Sequence, residues 1–144
     1  MDIPYRREQS AGYLVNWAGR LFVRAVERRL LGGTAGQMPV YFALLESSAM
    51  SQKDLARWAA VEQPTMANTL ARMQRDGLVV SSPDREDRRS TRISLTKLGQ
   101  QRAKQAMESA QAVNALGLGA LKPAERELFL DMLRRMVAKL DADS

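Results

Sequence analysis

The chain has 144 residues, 45% apolar and 26% charged, proportions that suit one compact core or a small domain with added association helices. Its net charge of +6 and pI near 10.2 favour an anionic partner such as DNA, although basic charge alone is a weak signal. It has neither Cys nor His, which excludes disulfides, thiolate metal sites and thiol switches and removes the commonest general base and metal ligand.

Residues 1–10, MDIPYRREQS, are polar and read as a loosely held arm without the apolar core of a secretory signal. No apolar run approaches the roughly 18 residues that span a bilayer. The expectation is a cytoplasmic protein with no membrane partner. Gly12 to about Leu31 then reads as a long helix, because Leu14, Trp17, Ala18, Leu21, Phe22, Ala25 and Val26 recur at three- and four-residue steps. Arg20, Arg24, Arg28 and Arg29 lie largely off that stripe. They read either as a solvated face or as a source of one or two cations for an acidic ligand in a crevice.

Gly32-Gly-Thr-Ala-Gly36 breaks the chain and lacks the lysine and spacing of a phosphate-cradling loop. A second helix follows over Pro39–Glu46. Ser51-Gln-Lys-Asp54 resembles a capping box and opens a short helix through Leu55, Ala56 and Ala59. After a brief turn at Val61 and Glu62, another helix starts at Gln63, with Pro64 in a first turn that needs no N–H from it. Met66, Thr69, Leu70 and Met73 share one face of it. Pro64, Asn68, Ala71 and Arg75 share the other, flanked by Thr65, Ala67 and Arg72. Gly77 is placed as a left-handed cap.

Two β-prone runs come next, Leu78–Ser81 and Thr91–Leu95, around the charged turn PDREDRR, and Thr96 is placed to cap a further helix. Two short helices joined by a tight turn, then a hairpin, predict a winged helix-turn-helix: mainly α with a small β-hairpin wing. Leu98 to about Leu116 reads as a helix with a small apolar face, interrupted by Gly117 and Gly119. Pro123–Leu140 reads as the last helix. Its wide stripe of Leu128, Phe129, Met132, Leu133, Met136, Val137 and Leu140 calls for a partner chain, or else for folding back onto the first helix.

The sequence of about six helices with a wing between the fourth and fifth resembles the MarR (multiple antibiotic resistance regulator) family. The resemblance is carried by Leu78-Val79 after Gly77, by Asp87-Arg88-Arg89, and by Ile93-Ser94-Leu95-Thr96 with Gly99. It implies a homodimeric regulator, more often a repressor, that binds a pseudo-palindromic double-stranded operator. The implied division is an arm and dimerisation helix at 1–35, a DNA-binding domain at 36–97, and C-terminal dimerisation helices at 98–144.

On that reading the DNA-binding residues are Gln63, Pro64, Thr65, Ala67, Asn68, Ala71, Arg72 and Arg75 on the recognition helix and Arg85, Asp87, Arg88 and Arg89 on the wing. Gln63 and Asn68 can each pair bidentately with adenine, and Thr65 can meet a thymine methyl or a phosphate. Arg72 and Arg75, later in the helix, suit phosphates. Ala67 and Asn68 stand where the family often has a hydroxyl and an arginine, so its base preference is not carried over. The wing's arginines alternate with acids to a net charge of +1 over 84–92, too little for a mere electrostatic patch. In the family the wing's Asp-x-Arg pattern, here Asp87 and Arg89, lets the acid orient the arginine toward the minor groove. A narrow minor groove favours such an arginine.

Family members commonly take small aromatic acids as effectors, which here would use an aromatic and cationic pocket of Tyr13, Trp17, Arg20, Arg24 and Tyr41. Without Cys or His, peroxide-sensing and zinc-sensing variants of the family are not expected, and no cofactor, metal ligand or catalytic residue is assigned. The acids are scattered, so no enzyme constellation emerges. The alternative is a winged helix used for protein–protein contact. It would need aromatic or aliphatic anchors on the outward face of the Gln63 helix, which is small, polar and cationic instead.

Overall fold

The computed structural model describes residues 4–144. Among them six α-helices follow in the expected order, and the hairpin of the wing belongs to a three-stranded antiparallel sheet. The last part of the N-terminal arm is tied down rather than loose: Arg7–Gln9 forms a 3-10 turn and Tyr5 Oη donates to Ser10 Oγ at 2.8 Å. Residues 1–3 of that arm lie outside the described residues. Ser10 Oγ also accepts the Tyr13 N–H and so starts α1 (Ala11–Glu27).

Helix α1 ends a turn earlier than its apolar period predicts. Past Glu27 the main chain is claimed from elsewhere: Gln105 donates to Arg29 O at 2.8 Å and Arg102 to Leu31 O at 3.1 Å. Carbonyls beyond the end of α1 are thereby satisfied by side chains from a distant helix, a case of tertiary contact overriding local pattern.

Helix α2 (Met38–Ser47) is apolar nearly all round and buries Met38, Val40, Tyr41, Ala43 and Leu44. A two-residue strand, β1 (Ala49–Met50), follows it and was not expected, since so short a run has no readable alternation. Ser51 Oγ accepts the Asp54 N–H to start α3 (Gln52–Ala59). The turn after α3 places Ala60 at φ +55°, with Val61 N–H returning to Ala56 O, so a Schellman closure sets the angle between the two helices.

Helix α4 (Gln63–Arg75) buries Met66, Leu70 and Met73 and ends in the same way, with Gly77 at φ +73° and Leu78 N–H on Met73 O. Strands β2 (Val79–Pro83) and β3 (Thr91–Leu95) pair from Val79↔Leu95 to Pro83↔Thr91. On its other side β3 pairs with β1, Ala49↔Ser94 and Met50↔Ile93, giving the order β1-β3-β2. Leu55, Met66, Met73, Val40 and Val79 are the largest fully buried side chains, and they join α2, α3, α4 and the sheet in one core.

Helix α5 (Lys97–Leu118) runs through Gly117 rather than stopping before it, and α6 (Pro123–Asp143) extends one turn beyond Leu140. The chain divides into a unit ending at Ala110 and a second unit, Gln111–Ser144. Within the second, α6 has no buried residue, and Leu128, Phe129, Met132, Met136, Val137 and Leu140 all lie exposed. Among the described residues no helix is long and apolar enough to cross a membrane.

The start of α5 meets the start of β2 at Gly99. A Cβ there would run into the Leu78 carbonyl, which cannot swing aside because it accepts the Thr96 N–H at 3.0 Å. We expect Gly99→Ala to cost about 1–3 kcal/mol, as overpacked cores do. Gly12→Ala, in a helical site open to solvent, should be neutral or stabilising. Urea unfolding of both variants measures the contrast.

Candidate nucleic-acid interface

Helix α4 divides cleanly between an inner and an outer face. Gln63, Pro64, Thr65, Asn68, Ala71, Arg72 and Arg75 are exposed, and Ala67 is half-buried on the flank. Inward anchoring by Met66, Leu70 and Met73 therefore turns every other predicted recognition residue outward. Thr69 is only half-buried, and its hydroxyl bonds back to Thr65 O at 3.1 Å instead of packing as an apolar residue would. Arg75 lies 3.5 Å from Asp76 in an exposed pair worth little. Arg72 is in no ion pair among the described residues.

The wing's acids shape its turn. Asp84 Oδ1 accepts the Glu86 N–H at 2.9 Å, its Oδ2 accepts the Ser90 hydroxyl at 3.3 Å, and Asp84 N–H reaches Ser90 O. Asp87 Oδ1 accepts the Arg89 N–H at 3.0 Å. Asp87 thus orients Arg89 through its main chain and not by pairing with its guanidinium. Among the described residues Arg85, Arg88 and Arg89 have no ion pair, and all three are exposed.

Arg92 behaves differently. Its Nη2 donates to Ala49 O at 2.7 Å and its Nη1 lies 3.9 Å from Asp84 Oδ2. Sequence reasoning assigned no role to Arg92, Asp84 or Ser90. Asp84, two residues before Glu86, has the spacing of an Asx turn and could have been read. The Ala49 contact spans 43 residues and leaves no local signal.

The five residues offered for an effector do not converge within one chain. Tyr13 and Trp17 meet edge to face at 6.1 Å, and Arg7 lies 5.7 Å over the Trp17 ring. Arg20 and Arg24 lie with Val15, Asn16, Gly19 and Val23 on one exposed face of α1. Tyr41 is buried in α2 and lines a separate cavity of about 240 Å³ beside Arg102, Asp76 and Gly33. Burial pushes the Tyr41 hydroxyl above its ordinary range, against the opposing pull of Arg102.

The Asp84 carboxyl is held below the ordinary carboxylate range, chiefly by the Glu86 N–H, with help from Ser90, Asp87 and Arg92 against a smaller desolvation effect. A depressed folded value means stability that is present above the unfolded pKa, about 3.9, and lost as pH falls through the folded value. The difference in melting temperature between the native chain and Asp84→Asn should therefore be largest above about pH 5 and shrink toward pH 3. Thermal scans across that range check it.

A family model described as the MarR family matches residues 34–91. Over 138 residues the chain is 28% identical to the HTH-type transcriptional repressor NicR of Pseudomonas putida, spanning 94% of this chain and 87% of NicR. It is 32% identical over 104 residues to the transcriptional regulator HosA of Escherichia coli, spanning 72% of this chain and 77% of HosA. Among solved structures, BpsR of Bordetella bronchiseptica, whose DNA binding is regulated by 6-hydroxynicotinic acid, superposes with a TM-score of 0.84 at 28% identity, covering 93% of this chain and 97% of BpsR. A winged helix-turn-helix flanked by long helices, with relatives of this kind over most of its length, makes the chain a member of the MarR family of transcription regulators, which are not enzymes.

Proposed function

We propose that the chain acts as a homodimeric repressor that sets α4 in the major groove and the wing in the adjacent minor groove of a pseudo-palindromic operator. The observation that carries this reading is the exposed α4 face of Gln63, Thr65, Asn68, Arg72 and Arg75 beside three wing arginines whose guanidinium groups are not spent on internal ion pairs. Gln63 and Asn68 read adenine edges, Thr65 a methyl or phosphate, and Arg72 and Arg75 the backbone. Pro64, Ala67 and Ala71 are small enough to let the helix approach. Arg89 enters the minor groove, with Arg85 and Arg88 on flanking phosphates.

A second copy of the chain covers the exposed apolar faces of α1 (Leu14, Trp17, Leu21, Phe22) and α6 (Leu128, Phe129, Met132, Met136). Residues 1–35 and 98–144 then serve dimerisation and 36–97 serves DNA, with half-sites about one helical turn apart. Because NicR is a repressor and BpsR is regulated by 6-hydroxynicotinic acid, the effector is a small aromatic acid. Its carboxylate is taken by Arg20 or Arg24 on the exposed α1 face, with Tyr13 and Trp17 as neighbouring aromatic surface. Tyr41, in its separate cavity, stands apart from that contact.

Fluorescence anisotropy on DNA from the gene's upstream region, against a scrambled duplex and across a salt series, tests the DNA reading. Sequence-preferring binding that falls steeply with salt is expected. Asn68→Ala should lose about 1–3 kcal/mol on the preferred site and relax its discrimination, whereas Arg72→Ala should weaken all duplexes alike and lower the salt slope by about one. Equal weak binding to both duplexes, or none at low salt, would remove the repressor assignment.

For the effector, 6-hydroxynicotinate titrated onto the preformed complex should release DNA, and Arg20→Ala or Arg24→Ala should raise the concentration needed at least about tenfold, the scale of one charge-assisted contact. An unchanged release curve in both variants would eliminate the α1 face as the anion site.

A further inference from the structure

We infer that Arg92 and Asp84 are positioning residues that hold the wing at the angle its tip needs, an assignment that rests on the DNA-binding reading above. The sheet carries three strands only near its base, where β1 pairs at Ala49↔Ser94 and Met50↔Ile93. Beyond that point β2 and β3 continue alone through Ser82↔Arg92 and Pro83↔Thr91. A two-stranded ribbon is strongly twisted and marginally stable by itself. From Arg92 to Arg89 the lever is about 10 Å, so a 10° swing of the ribbon moves the tip by about 2 Å. That is a third of the width of a minor groove, about 6 Å across.

The Arg92 guanidinium sits where this swing starts. One nitrogen donates to Ala49 O, on the strand rooted between α2 and α3; the other faces Asp84 Oδ2 at the first corner of the wing. Asp84 in turn holds the Glu86 N–H and the Ser90 hydroxyl on the two sides of the turn. A single planar fork thus links the helix-turn-helix body to both ends of the wing loop. Lysine, a point charge with no fork, cannot make both contacts in this geometry.

A simple phosphate contact is the rival account of Arg92, and charge separates the two. Asp84→Asn removes a negative charge from beside the DNA. Electrostatics alone would tighten binding; loss of the strut weakens it, by about tenfold if a base-reading contact is lost. Arg92→Gln should weaken binding similarly, and neither variant should lose further affinity when combined with Arg89→Ala, since the tip is already misplaced.

The experiment is anisotropy on the operator for the wild-type chain, Arg89→Ala, Asp84→Asn, Arg92→Gln, Arg92→Lys and the double variants, each checked for folding by thermal melt. Weaker binding by Asp84→Asn, with non-additive doubles, supports the strut. Tighter binding by Asp84→Asn, or an Arg92→Gln loss of equal size with and without Arg89, overturns it. Should Asp84→Asn not fold, Arg92→Lys decides: near-native affinity overturns the strut and a loss like that of Arg92→Gln supports it. A wild-type chain with no operator preference fails the DNA reading itself. A preference that Arg89→Ala diminishes, with Asp84→Asn and Arg92→Gln both unaffected, fails only the strut.

Discussion

The contact on which the DNA-facing elements depend is the corner where Gly77, Leu78, Thr96 and Gly99 meet. Thr96 Oγ1 donates to Gly77 O at 2.6 Å and accepts the Gly99 N–H at 3.0 Å, while Thr96 N–H is bound to Leu78 O. Helix α4 ends here, the hairpin both leaves and returns here, and α5 begins here. Leu78, Val79, Ile93 and Gly99 are buried beside it, whereas Gly77 is exposed and Thr96 half-buried, so the corner's polar side faces water and its apolar side the core. The relative placement of recognition helix and wing is therefore set by main-chain geometry at four residues. Outward side chains are left free to vary without disturbing it.

The wing shows how charge is divided between building and binding. Its acids all lie close to its arginines, yet Asp84 and Asp87 spend their oxygens mainly on N–H groups and a hydroxyl of the turn. Carboxylates engaged with main-chain donors neutralise less of the guanidinium charge nearby than paired ones do. The tip is cationic although the segment as a whole is almost neutral. A hairpin of lysines and arginines alone would repel itself and give a diffuse field. Here the field is concentrated on three side chains over a turn that its own acids fix.

What was legible in the sequence was whatever a few neighbouring residues decide. Pro64 and Gly77 bracket α4, Ser51 and Thr96 cap their helices, and Thr91–Leu95 pairs over the expected span, each by a local stereochemical rule. The inner face of α4 was legible too, because Met66, Leu70 and Met73 have one periodicity and one possible burial. What was not legible depends on partners far along the chain. The end of α1 is decided by Gln105 and Arg102, β1 exists only because β3 is there to receive it, and Arg92, still exposed, is held by Ala49 O. The dispersal of the effector residues was not legible for the same reason: an aromatic ring at Tyr41 and a cation at Arg20 both suit an aromatic acid, but residue type carries no information on whether a side chain lines an inner cavity or an outer helix face.

The same long-range contacts bear on how a ligand at α1 could be felt at the DNA. A ligand shifts an equilibrium only by its differential affinity for two arrangements, so what matters is which bonds differ between them. The end of α1 is stapled to α5 by Gln105 and Ser109 on Arg29 O, by Gln105 on Leu31 N–H and by Arg102 on Leu31 O. Arg102 lies one turn of α5 after Leu98 and Gly99, at the corner from which α4 and the wing diverge. Packed elements move as discrete bodies rather than by continuous strain. A displacement of α1 large enough to matter must either exchange this staple for bonds to water or carry the start of α5 with it. Breaking the staple costs several hydrogen bonds at about 0.5–1.5 kcal/mol each, comparable to the 1–3 kcal/mol typical of an allosteric coupling. A displacement carried by the start of α5 would reach the corner at Gly99, from which α4 and the wing diverge.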